Sequence, residues 1–436
     1  MRKRLRAGAE GELTRSHAHS LPAPYTFTAL DEEDRREVTA LDTLIFPDPR
    51  SLDDLLTSPD SLEWERMWGI RDGEELAAIH GTHSLTRYPV PGAHTRCGWL
   101  TWVGVHPGHR RRGLLRAMIA HHLQECRDRG EVVSGLVAAE PAIYGRFGYG
   151  LAARHTELNL PRGAELRPVP GSQDIRIRIT DFSTEEHGEL ISDVHPRSGD
   201  VGLGRPGWAT WETPGLTASR TTLTPALTSG KEPLRILLAA AGEQVVGYAT
   251  FRRTLAWQPT GPDGTVQVLD FAALSPAATH RMWSVLLDLD LMTHVTTPML
   301  ALDDPLLELL LDLRKAAARI QDNTWLRIVD VPGALQARRL ASSLDAVVEV
   351  VDSLLPGNTG RWRIAGRPWQ HPDVGATDRP PAVSLDIREL SAAYLGGAGL
   401  LQSLNAGLGT VHDARAAADL AVALSWPTAP VVNWIF

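Results

Sequence analysis

Lysine is nearly missing from this chain of 436 residues: only Lys3, Lys231 and Lys315 contribute to its 44 basic residues, and arginine supplies the rest. Cysteine is equally scarce. Cys97 and Cys126 are too few for a disulfide framework or a four-cysteine metal site, which makes a reducing cytoplasm the default expectation. A long apolar run is also absent, since Val347–Val351 and Ala416–Leu424 are short or interrupted, so no membrane span is expected. The basic start Met1-Arg2-Lys3-Arg4-Leu5-Arg6 lacks the apolar core of a signal peptide, because Ala7–Ser20 is polar and contains Glu10 and Glu12. Residues 1–24 read as a loose tail bounded by Pro22 and Pro24. Acids outnumber bases 52 to 44, a net charge of −8, which argues against nucleic acid as a partner and mildly for cationic small molecules.

What is present is the composition of a globular protein, with 43% hydrophobic and 22% charged residues. A chain of this length calls for two to four domains. Asp31 with Asp34, and Ser51 with Asp54, have the spacing of helix caps; the first precedes an apolar stripe at Val38, Leu41, Leu44 and Ile45. Asp72-Gly73 between Met67–Ile70 and Leu76–His83 predicts a hairpin. A strand is predicted over Cys97–Val105 with a bulge at Gly104, then a helix from Gly113 to Arg129. Strands at Val132–Ala138 and Arg154–Leu160 flank a short helix around Tyr144.

Part of this order recurs. Leu234–Ala239, the turn Gly242-Glu243-Gln244 and Val245–Arg252 mirror the first hairpin, and Val266–Leu274 leads through Ser275-Pro276 into a helix containing Trp283. No glycine-arginine loop follows this second strand, which suggests a duplication with one working copy. Beyond Ala341, strands at Val347–Val351, Gly360–Ile364 and Ala382–Ile387 precede helices at Glu389–Tyr394, Gly399–Leu404 and Ala414–Ala423, an α+β pattern. The end, Trp426, Val431, Val432, Trp434, Ile435 and Phe436, is apolar enough to require burial.

The strongest chemical signal is Val103-Gly104-Val105-His106-Pro107-Gly108-His109-Arg110-Arg111-Arg112-Gly113-Leu114-Leu115-Arg116. A strand ends, a turn gathers backbone N–H groups and a helix begins, the geometry that holds a pyrophosphate. It has no Gly-Lys-Ser/Thr of a Walker loop and no dinucleotide fingerprint. A solvated basic turn is the plainer alternative.

Arg110-x-x-Gly113 in this setting resembles the acetyl-CoA loop of the GNAT superfamily, with Leu115 where the pattern has a small residue. Together with Ile143-Tyr144-Gly145-Arg146-Phe147-Gly148-Tyr149-Gly150, Gly360-Arg361-Trp362-Arg363, Tyr394-Leu395-Gly396-Gly397 and the aromatic C-terminus, it is similar to the enhanced intracellular survival (Eis) family of N-acetyltransferases over nearly the whole chain. The resemblance implies a mixed α/β (α+β) protein. After the tail it places an acetyltransferase domain at 25–165, a degenerate copy at 166–325 and a sterol-carrier-protein-like domain at 326–436. Acetyl-CoA as co-substrate, a homo-hexamer and a cytoplasmic location follow from the same likeness, with no metal. Cofactor contacts are expected at Val103–Val105, Arg110–Arg116, Ala139 and Glu140. Tyr144 is implied as the acid for the departing thiolate and the carboxylate of Phe436 as the base for the amine. Trp102 is expected as a wall of the acceptor pocket, together with Ile435, where better-known members carry an acid.

The chemistry fits these roles in outline. Transfer needs a neutral amine, a polarised thioester carbonyl and a protonated leaving group. Backbone N–H groups near Gly104 can polarise the carbonyl, and a tyrosine with ordinary pKa ~10 stands near a thiol at ~8.5. A carboxylate with pKa about 3.5 is a weak base for an ammonium unless burial raises it, or unless it steers the cation and takes the proton through water. His121-His122 do not share a helix face, Asp288 and Asp290 read as solvated, and Cys126 reads as packing rather than a nucleophile. Two other classes stay open: a protein lysine acetyltransferase, and a non-catalytic protein that binds a lipid or partner through its last domain.

Overall fold

The computed structural model describes residues 21–222 and 232–435; the expected tail lies, up to residue 20, outside them. Strand β1 (Thr26–Ala29) leads into a capping box, in which the Asp31 amide donates to the Asp34 carboxylate at 2.9 Å. Helix α1 (Arg35–Ile45) follows and buries Val38 and Leu41. The second cap also forms, with the Asp54 amide donating to Ser51 Oγ at the start of α2 (Leu52–Leu56). Strands β2 (Trp68–Asp72) and β3 (Glu75–Val90) make the hairpin, turning at Gly73 with φ +61°. Strand β4 (Ala93–Val105) is antiparallel to β3. Helix α3 (Leu114–Asp128) buries Leu114, Met118, Ile119 and Leu123 against the sheet and returns the chain to β5 (Val133–Val137).

The register between β3 and β4 slips where Ile79 faces Gly104 and Gly81 faces Thr101. The extra residue of the bulge therefore lies at Trp102–Val103, one step before the glycine. Trp102 takes the left-handed φ of 51° that such a bulge demands.

One strand of the first sheet comes from far along the chain. Thr324–Ile328 inserts antiparallel between β5 and β6 (Gly150–Leu151), giving a seven-stranded sheet. In return, Asn159–Pro161 joins the second sheet beside Met292–Thr296. The predicted strand at Arg154–Leu160 is thus two pieces, Arg154–Glu157 and Asn159–Pro161, that serve different sheets. The rest of the second sheet is Arg176–Asp181, Arg235–Ala241, Gln244–Thr254 and Gly264–Ala273, backed by the helix Pro276–Leu286.

The third unit is a five-stranded sheet centred on Leu344–Val351, with the helices Ile387–Ala393 and Ala414–Leu424 packed on it. The C-terminal aromatics are buried, as their composition requires. Trp434 is enclosed, its Nε1 donates to Ala209 O at 2.8 Å, and Val432 exchanges two hydrogen bonds with the side chain of Asn323.

In the first unit His80, His83 and His122 are buried and His121 is half-buried. Burial, the main cause, holds the pKa of each below the ordinary value, to about 4 for His83 and His121. His122 sits between Thr82 Oγ1 at 2.9 Å and Ser134 Oγ at 2.7 Å. The stability these neutral rings contribute is complete above pH ~6.5 and is lost as pH falls towards 4. Two carboxyls, Asp42 and Asp304, are pushed up to about 6, chiefly by burial, and act in the opposite sense over the same window. The imidazoles outnumber them, so a net loss of stability between pH 6.5 and 4 is expected in urea unfolding. Stability that rises across that window would contradict this balance.

Candidate active site

Strands β4 and β5 run parallel only where Cys97, Gly98 and Trp99 face Val133, Ser134 and Gly135. Beyond Trp99 they diverge, and a cavity of about 760 Å³ opens between them. Val103, Gly104 and Val105 form one wall, Ala139, Glu140 and Tyr144 the other, and His109–Arg111 with Gly113–Arg116 the end. Ile45 and Phe46, at the end of α1, close the top. Ile45 lies close over Gly104: a Cβ there would stand 2.5 Å from Ile45 Cδ1, so a larger residue would need that side-chain end to shift.

The start of α3 is built to receive an anion. Gly113 occupies the N-cap with φ +82° and offers no side chain to the first-turn amides, which stay available to a ligand in the cavity. In the second unit the equivalent helix is closed by Ser275, whose side chain accepts from the Ala278 amide. That cap satisfies one of the first-turn amides of the kind that α3 leaves uncapped.

Arg110, Arg111 and Arg116 line the cavity, whereas Arg112 does not. Its Nη1 donates to Tyr25 Oη at 2.6 Å, and that hydroxyl lies 2.8 Å from His109 Nδ1. His109 Nε2 in turn lies 3.3 Å from Glu75. Arg112 therefore braces the loop from beneath, through residues the sequence reading had not connected. Glu75, His106 and His109 have donor atoms within 4.8 Å of one another. His106 Nδ1 already accepts from the Gly108 amide, and the cluster reads as support for the loop.

Tyr144 sits on a 3-10 segment, Pro141–Phe147, with its ring edge-on to Tyr149 at 5.8 Å between centroids. Tyr149 is buried and held by a hydrogen bond of 2.8 Å to Ser134. Burial first, then the charge of Glu140, pushes the Tyr144 hydroxyl up to about 12, so it stays protonated at any working pH.

Trp102 is not among the residues lining this cavity; it packs against the buried cluster of Leu30, Val38, Leu41, Met67, Leu76 and Ile79. Ile435 lies elsewhere, in a second cavity of about 590 Å³ bordered by Glu157, Gln267, Thr297, Arg319 and Asn433. Phe436 lies outside the described residues. Its neighbour Ile435 is fixed through its carbonyl, which accepts from Arg220 at 3.4 Å.

The Tyr144 segment is held by an ion pair. Arg327, from the exchanged strand, is buried; its Nη2 reaches both oxygens of Asp352 at 2.6 Å and its Nε donates to Phe147 O at 3.0 Å.

A strand splay, an uncapped helix after an arginine-glycine loop and a half-buried tyrosine are the features of one class: GCN5-related N-acetyltransferases. Family models for an acetyltransferase (GNAT) domain match residues 26–152 and again 205–328, and one for a sterol carrier protein domain matches 331–433. An uncharacterized N-acetyltransferase of Streptomyces avermitilis is 35% identical over 381 residues, 86% of this chain and 89% of that protein. N-acetyltransferase Eis of Mycobacterium tuberculosis is 32% identical over 75% of this chain and 78% of its own length. The chain belongs to the Eis family of GNAT N-acetyltransferases. The crystal structure of Eis1 from Mycobacterium abscessus superposes with TM-score 0.78 at 27% identity, covering 94% of this chain and all of that one. A GCN5-related N-acetyltransferase from Anabaena variabilis shares the fold, with TM-score 0.77 at 18% identity over 94% of this chain and all of its own. Among the described residues no helix is long and apolar enough to cross a membrane.

Proposed function

We propose that this N-acetyltransferase moves the acetyl group of acetyl-CoA directly to an amine of a small cationic molecule. The observation that carries the reading is the uncapped α3 N-terminus in a cavity that has Tyr144 on its opposite wall. CoA phosphates meet Arg110, Arg111 and the free amides, and the thioester lies along Val103–Val105, whose N–H groups polarise its carbonyl. The amine nitrogen attacks the carbonyl carbon, the C–S bond breaks, and the sulfur takes a proton from Tyr144. The amine gives its proton to the Phe436 carboxylate. A tyrosine pushed up to about 12 is a reluctant donor to a thiol of ordinary pKa ~8.5. The sulfur leaves inside the same cavity, however, and the burial it shares with Tyr144 raises its pKa for the same reason.

The reacting amine meets the thioester in the first cavity, beside Tyr144, because direct transfer needs both in one space. Ile435 borders the second cavity, where Glu157 is the carboxylate and Arg319 the arginine among the described lining residues. The cytoplasmic hexamer implied by the family likeness belongs to the same proposal.

The test is CoA release with simple amines, polyamines, aminoglycosides and lysine peptides. Turnover on small amines is expected. Peptide-only turnover would reassign the protein as a lysine acetylase. No turnover, together with no acetyl-CoA binding, would make it a binding module.

A further inference from the structure

After the helix Ala414–Leu424 the chain runs on to Ile435 without helix or strand, yet Val431, Val432 and Trp434 are buried. Buried backbone outside a ladder has to find its hydrogen-bond partners one at a time. For Val432 a single side chain supplies both. Asn323 Nδ2 donates to Val432 O at 2.9 Å, and Asn323 Oδ1 accepts from the Val432 amide at 2.9 Å. A side-chain amide carries a donor and an acceptor side by side, as the edge of a strand does. Asn323 is itself fully enclosed, and Thr324 Oγ1 donates to its Oδ1 at 3.0 Å.

This clamp is fixed to the first unit. The Asn323 amide donates to Ala153 O at 3.0 Å, and the Ala152 amide donates to Thr324 O at 2.9 Å. Ala152 and Ala153 directly follow β6, the strand into which the Tyr144 segment runs. The second unit holds the same strap on either side of Val432. Arg205 Nη1 donates to Ala429 O at 2.6 Å, and Ala209 O accepts from Trp434 Nε1 at 2.8 Å. Apolar burial is non-directional and lets a chain end slide along its groove, whereas paired hydrogen bonds at one residue fix it lengthwise.

We propose that Asn323 is a positioning residue for the C-terminal carboxylate, and that it sets the strap ending in Phe436 in the same frame as Tyr144. The inference rests on that carboxylate acting as the base. A base has to stand within hydrogen-bond reach of the proton it takes, and misplacement of about 1 Å at a reacting group costs up to about 10²-fold in rate. Phe436 follows Val432 by four residues, so a strap freed at Val432 loses its lengthwise stop close to the reacting group. The exchanged strand then does more than complete a sheet: the residue that opens it ties the chain end to the backbone that follows the Tyr144 segment.

The test is a cycle between Asn323→Ala and an extension of a few residues after Phe436, which turns the carboxylate into an amide. Asn323→Ala is expected to lower the single-turnover rate by about tenfold or more, with the acetyl-CoA dissociation constant within about threefold of wild type, since the arginine loop is untouched. In the extended enzyme the same substitution is expected to cost less than about twofold, because the group it positions is already gone. A merely loosened fold would cost both backgrounds alike. A full rate in Asn323→Ala, or losses that multiply in the combined variant, would overturn the proposal. Should Asn323→Ala not fold, Asn323→Asp carries the test with the shape kept. Its ionised carboxylate cannot donate to Val432 O and its protonated form can, so its rate relative to wild type is expected to rise as pH falls. A ratio flat with pH would overturn the role. Full activity in the extended enzyme alone removes the base. The clamp is then decided by amide hydrogen exchange at Val432, where faster exchange in Asn323→Ala supports it and unchanged exchange overturns it.

Discussion

Tyr144→Phe is expected to lower kcat by 10²–10⁴-fold while acetyl-CoA binds nearly as before, the range that a positioned general acid contributes. The substitution keeps the ring, its edge-on contact with Tyr149 and the packing around it, and removes only the hydroxyl. Burial raises that hydroxyl to about 12, so wild type should show no alkaline fall in kcat from this group below about pH 11. Adding a few residues after Phe436 should have a comparable effect, since it converts a carboxylate into an amide. Single-turnover kinetics and acetyl-CoA titration check both variants. A Tyr144→Phe enzyme with normal turnover, or an extended enzyme with full activity, would remove the corresponding role.

Asp352→Ala is expected to cost about 3–5 kcal/mol of stability, the penalty for leaving a buried charge without its partner. Arg327 is fully enclosed, and its nearest counter-charge would be gone. Asp352 also accepts from the amides of Leu354 and Leu355 and from Asn358 Nδ2, so four donors lose one acceptor group. Replacing both partners, as in Arg327→Met with Asp352→Leu, should recover much of the loss, because neither variant side chain then carries a buried charge. Denaturant unfolding of the three variants checks this. An unchanged midpoint in Asp352→Ala would show that the pair contributes nothing net. Activity should fall as well, since Arg327 Nε also holds the Phe147 carbonyl at the end of the Tyr144 segment.

Much of the fold was legible because its signals are local. The caps at Asp31 and Ser51, the Asp72-Gly73 turn, the strand before the arginine loop and the helix after it each depend on a few neighbouring residues. The third unit was legible for the same reason, with each predicted strand and helix found within a few residues of its expected place. The bulge was displaced by one step. Gly104 drew attention as the flexible residue, yet the slip falls at Trp102, and Ile45 lies close over the glycine.

Less of the site was legible. The arginine run Arg110–Arg112 looks uniform in sequence, and only packing shows that two of its members face the cavity while Arg112 turns to Tyr25. Trp102 and Ile435, expected on one acceptor wall, lie in different places: one packs against the cluster around Val38 and Leu41, the other borders the second cavity. The strand Thr324–Ile328 was not expected from the sequence, and nothing in it says that it belongs between β5 and β6.

The sequence by itself determined the class of chemistry, because an anion-binding loop needs only a strand end, a glycine and a helix start in succession. It also determined that the second copy lacks this site, from the missing arginine loop, although the Ser275 cap on the equivalent helix is a structural finding. Tertiary structure decided the rest: which arginines face the cavity, why Gly148 and Gly150 leave no room for a side chain, and where Ile435 lies. Those outcomes depend on contacts between residues hundreds of positions apart, whose energies come from close packing and buried charge rather than from local propensity.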